Sequence, residues 1–99
     1  MNIPKQINIF GLTYTVEEVE VVSKGELLLG QINYLEQTIR IDKSLSEDRK
    51  GQVFMHELLH GILEGLGMAE LNENENAVQS IAAAMYHILS GQGVSFREQ

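Results

Sequence analysis

The sequence changes its hydrophobic period once, near Ser46, and that change excludes most architectures. Before it the spacing is two. Ile7 and Ile9 alternate with polar neighbours, Gly11 follows, and Tyr14, Val16, Val19 and Val21 continue the alternation, which predicts a hairpin. After the loop SKGE, the chain reads as a strand near Leu28 to Tyr34, a turn around Leu35 to Gln37, and a strand from Thr38 to Asp42. Strands grouped ahead of helices predict an α+β domain with a small, mostly antiparallel sheet of three to four strands.

Beyond Ser46 the period is about 3.6. Ser46 suits an N-cap, Glu47 and Asp48 complement the dipole of a first turn, and Gly65 and Gly67 are good stops, so a helix is predicted over residues 47 to 65. A polar stretch, GMAELNENEN, leads to a second helix over residues 74 to 90, periodic in Val78, Ile81, Met85, Ile88 and Leu89. The 99 residues offer no linker and read as one domain, with 91–99 as a flexible tail that Val94 and Phe96 could dock.

Charge and composition narrow the function classes. Fourteen acidic against seven basic residues give a net charge of -7, and the basic residues are scattered, which disfavours nucleic-acid binding. No apolar run is long enough to span a bilayer and the N-terminus lacks a signal-peptide core, so the expected location is the cytoplasm. The chain has no cysteine, which removes disulfides, thiolate ligands and cysteine nucleophiles together. Any metal must be held by His, Asp or Glu.

Within the first predicted helix lies MHELLHG. His56 and His60 are four residues apart, so a helix presents both imidazoles on one face to a single metal. Glu57 sits about 100° round from His56, poorly placed as an equal ligand but well placed to hold a water. Zinc hydrolysis needs that division of labour: the metal acidifies the water, and a carboxylate takes its proton and passes it to the leaving amine. The competing explanation is two polar residues at the edge of an ordinary helix. Helical projection favours the metal, because the apolar arc is Met55, Leu59, Ile62, Leu63 and Leu66, with both histidines on its flank beside Val53. Gly61, mid-helix, costs about 1 kcal/mol relative to Ala, which suggests close packing of the second helix, and Gly51 reads the same way.

Two histidines do not complete a catalytic zinc site. The extended motif with a third histidine fails, because Leu63 and Leu66 occupy its Gly and His positions. His87, the remaining histidine, projects away from the apolar face of the second helix. That leaves a carboxylate among Glu70, Glu73 and Glu75. Measured from a face centred near Ile81, Glu73 and Glu75 fall equally far to either side. If Asn74 is the N-cap, Glu75 is on the helix with a fixed direction, and Glu73 remains the alternative.

The runs TIRIDKSLSEDRKGQVFMHELLHGILEGLG and NENENAVQSIAAAMYHIL resemble the short, phage- and prophage-type ImmA/IrrE-like metallopeptidases, zincins whose third ligand is a glutamate. INIFGLTYTVEEV and LGQINY extend the likeness more loosely. The resemblance implies a minimal zincin: a small sheet on the active-site helix, then a glutamate-bearing helix. It also implies His56, His60 and Glu75 as Zn2+ ligands and Glu57 as general base. An edge strand from residues 28 to 41 would overlie the cleft and pair with an extended peptide.

The resulting expectation is a zinc metallopeptidase acting on a peptide or protein in the cytoplasm, the host's if phage-encoded, without nucleic acid or membrane as partner. His and carboxylate ligands also admit nickel, cobalt or manganese. Tyr34, Tyr86 and His87 are candidate oxyanion stabilisers. The alternative, motivated by small size, is a silent or latent zincin acting as a metal-binding regulator or interaction module. Substrate, cleavage preference and oligomeric state have no signature in the sequence.

Overall fold

The computed structural model describes residues 2–91. Four strands, β1 (Gln6–Ile9), β2 (Leu12–Val19), β3 (Gly30–Asn33) and β4 (Thr38–Asp42), precede α1 (Glu47–Gly65), a short α2 (Ala69–Asn72) and α3 (Glu75–Tyr86). The β1–β2 hairpin turns through Phe10 and Gly11 at φ of 51° and 91°, the positive pair a tight two-residue turn demands. Asn8 Oδ1 accepts from the Gly11 N–H at 2.8 Å and holds that turn closed.

The sheet order is β1-β2-β4-β3, so β4 lies inside and β3 is an edge. Two of the three pairings are antiparallel, while β2 and β4 run parallel, Val16 opposite Ile39. The sheet is therefore mixed. The parallel pair arises because the chain runs back through β3 before β4 enters beside β2. The expected strand from Leu28 shortens to Gly30–Asn33, and Val21 lies outside β2 and exposed.

Helix α1 has the predicted bounds, and its Ser46 side chain accepts from the Arg49 N–H. It is buried on two sides rather than along one arc. Phe54 faces the sheet with Ile9, Tyr14, Ile39 and Ile41, whereas Met55, Leu59 and Leu63 face Val78 and Ala82 of α3. Each of these large side chains contributes about 1.5–3 kcal/mol by leaving water. Leu66, placed on the arc by projection, is instead the exposed C-cap.

Gly61 packs on the sheet, not on a helix. A Cβ there would meet Ile9 Cδ1 at 2.8 Å and Ile32 Cδ1 at 2.9 Å. Gly51 serves α3, since its Cβ would press on the Tyr86 ring at 2.5 Å. Lys50 adds a polar tie, its ammonium 2.6 Å from Glu18 of β2.

Helix α3 starts where predicted, with Asn74 Oδ1 accepting from the Ala77 N–H. Its buried residues are Val78 and Ala82, and Ile81 is 40% exposed, so the packed face is turned away from Ile81. The α-helix stops at Tyr86 and continues as a π-helical turn, His87–Gly91. Ser90 Oγ donates to the Tyr86 carbonyl at 2.5 Å, a back-bond that competes with the α-helical ladder. The expected tail beyond Gly91, with Val94 and Phe96, lies outside the described residues. Among those described, no helix is long and apolar enough to cross a membrane.

Candidate metal centre

The seam between α1 and α3 gathers the motif. His56 and His60, one turn apart on α1, set their rings edge to face at 4.9 Å between centroids. Glu75, the first residue of α3, reaches both: Oε2 lies 3.1 Å from His56 Nε2 and Oε1 lies 2.8 Å from His60 Nε2. The three side chains offer ligand atoms within 4.8 Å of one another. The histidine side chains are 16% and 14% exposed against 66% for Glu75, so the group is walled on the α1 side and open to solvent along α3.

The second ring nitrogens explain why the imidazoles face this way. His56 Nδ1 lies 2.7 Å from Gln79 Oε1, and His60 Nδ1 lies 2.6 Å from Asn72 Oδ1. An amide oxygen only accepts, so a neutral imidazole keeps its proton on Nδ1 and turns the Nε2 lone pair to Glu75. Asn72 cannot be flipped without loss, because its Nδ2 donates to the Tyr34 hydroxyl at 3.2 Å and that hydroxyl donates to the His60 carbonyl at 3.3 Å. With both rings in that neutral form, two imidazole lone pairs and a carboxylate converge. That is the donor set of a divalent cation, and the residues fit one.

Glu57 stands apart from this trio, on the side of α1 under β3. The N–H of Ile32 donates to its carboxylate. Burial pushes its carboxyl above the usual range; His56 and His60 pull the other way without cancelling that rise. It lines a cleft of about 260 Å³ together with Leu28, Leu29, Gly30, His56 and Glu75.

The other expected residues stand elsewhere. Tyr34 is tied behind His60, and burial raises its hydroxyl above the ordinary value, so it is a protonated donor within that network. The Tyr86 hydroxyl donates to Asp48 Oδ1 at 3.4 Å, at the far end of α1. Neither tyrosine, nor the exposed His87 of the π turn, belongs to the cleft lining. Glu73 is the C-cap of α2 and lies outside the converging group. Gln79 and Asn72 were not anticipated. Gln79 had a readable signal, since it is four residues beyond Glu75 and shares its face; Asn72 had none, because α2 itself was not expected.

Neither a curated protein nor a solved structure matches the chain significantly. The family described as the IrrE N-terminal-like domain, a family of peptidases, matches residues 15–93. That span takes in the sheet from β2 onward, the His-Glu-x-x-His helix and the glutamate helix that closes on it. With well over half its length covered and its donor set assembled at the motif, the chain belongs to the IrrE N-terminal-like peptidase family.

Proposed function

We propose that the protein is a zinc-dependent peptidase of minimal zincin type, with His56, His60 and Glu75 as metal ligands and Glu57 as general base. The observation that carries this reading is the convergence of both His Nε2 atoms on the two Glu75 oxygens, each ring oriented by an amide on its far side. A zinc ion held there would supply a Lewis acid beside the peptide carbonyl. Glu57 would take a proton from the water that attacks that carbonyl and return it to the amine released as the C–N bond breaks, and its burial makes it a better base than an exposed carboxylate.

Substrate would enter along β3. Asp42 N–H bonds the Leu29 carbonyl, so by alternation Gln31 and Asn33 also face β4 while Gly30 and Ile32 direct their backbone groups outward. Ile32 spends its N–H on Glu57. Gly30 lies over the cleft and could pair with an extended peptide. If the protein is phage-encoded, as the resemblance implies, this activity would belong to a host cytoplasm.

Protein reconstituted with one equivalent of zinc should cleave members of a quenched peptide library. No turnover of any peptide sinks the proposal. Bound zinc without turnover would instead favour the second reading, a silent zincin serving as a regulator, which draws on the position of Tyr34, Tyr86 and His87 off the cleft lining.

The orienting amide gives a separate expectation. Gln79→Leu removes the acceptor from His56 Nδ1 at an exposed position and should weaken zinc binding about 10- to 100-fold, read by competition with a chromophoric chelator. Unchanged affinity would show that Gln79 does not orient the ring.

A further inference from the structure

Arg49 lines the same cleft, two turns before His56 on α1. Among the described residues it is the one cation on that lining, and no ion pair engages it. The acids beside it are committed elsewhere, Glu47 to Lys50 and Asp48 to the Tyr86 hydroxyl.

Helix energetics argue against an arginine at this position. It is the third residue of α1, and its own N–H is capped by Ser46. A glutamate there would complete a capping box and suit the helix dipole, whereas a cation opposes the dipole. A residue that disfavours the helix thus stands where its side chain faces the cleft.

Direction follows from the packing. A Cβ on Gly30 would meet Glu57 Cγ, and one on Gly61 would meet Ile32 Cδ1, so β3 and α1 run the same way. A substrate strand antiparallel to β3, the commoner pairing, therefore runs from the motif toward Leu29 and Arg49. Arg49 is about 10 Å from His56 along the helix axis, roughly two or three extended residues once the side chain's reach is allowed for. Leu28, Leu29 and Val53 wall the interval.

We infer that Arg49 is a specificity-determining residue that selects peptides carrying a carboxylate two or three residues beyond the cleaved bond, with an apolar residue between. This rests on the peptidase reading above. The carboxylate is a side chain or a chain terminus, which an arginine fork binds alike.

Two labelled pools of extended peptides, alike except that Asp in one is Asn in the other, are compared on the zinc-loaded protein. Binding is read by fluorescence anisotropy and, for any member turned over, kcat/KM is read as well. A matched pair ending in a free carboxylate or an amide separates the two sources. The expected preference for the acid in at least one pair is about threefold to tenfold, fading with added salt. It should vanish in Arg49→Gln and turn toward a Lys pool in Arg49→Glu, whose melting temperature should hold or rise because the capping box is completed. Equality in both pairs on the unmodified protein, or acid preference surviving in Arg49→Glu, overturns the inference. Acid preference in binding without any turnover supports Arg49 and overturns the peptidase reading alone.

Discussion

Glu57→Gln should lower kcat for a cleaved peptide by about 10²- to 10⁴-fold, the usual contribution of a positioned general base, with little change in KM. The substitution preserves shape and an oxygen to accept from the Ile32 N–H, and removes only basicity. Zinc affinity should stay within a few-fold, because Glu57 is not among the three side chains that converge. Melting temperature at neutral pH should hold or rise, since burial already disfavours the charged carboxylate. Full turnover in a zinc-loaded Glu57→Gln protein would remove Glu57 from the mechanism. Lost turnover with lost zinc would mean that the residue supports the metal instead.

Replacing the proposed third ligand should have an effect of similar size on binding. Glu75→Ala is expected to weaken zinc by about 10³-fold or more, beyond the loss typical of an orienting partner, whereas Glu73→Ala should stay within a few-fold. The two glutamates are two residues apart with comparable charge, so the comparison holds electrostatics nearly constant and varies geometry. Glu75 begins α3 behind the Asn74 cap and meets both imidazoles; Glu73 closes α2, its N–H returned to Ala69 and Leu71. Glu75 is exposed and its loss costs α3 only a favourable dipole contact, so the variant should fold. Isothermal titration of metal-free protein decides it, and equal losses in the two variants would refute the assignment.

The parts of the site legible in advance are those written within one helix. The spacing of His56 and His60, the Ser46 cap and the acidic first turn all act within a few residues, where sequence distance is spatial distance. The Asn74 cap was legible for the same reason, and with it the direction of Glu75. Periodicity misjudged α3 because Ile81 is apolar yet 40% exposed, while small Ala82 is buried; hydrophobicity alone could not rank them, since the close approach to α1 favours the smaller side chain. Gly61 was recognised as a packing site but assigned to the wrong neighbour, because an α1 buried on two sides has no single apolar arc to say which partner a glycine meets.

By itself the sequence determined the class of elements, the bounds of α1, the exclusion of thiolate ligands and the one-turn spacing of His56 and His60, because each follows from composition or from contacts between near neighbours. Only the tertiary structure decided that β4 inserts between β2 and β3, leaving β3 as the edge beside Glu57. It alone brought Asn72 and Tyr34 behind His60, Gln79 behind His56 and Arg49 onto the same cleft as His56. Those relations depend on the register of the sheet and on how closely α3 approaches α1. Both are set by packing between residues far apart in the chain, which no local pattern encodes.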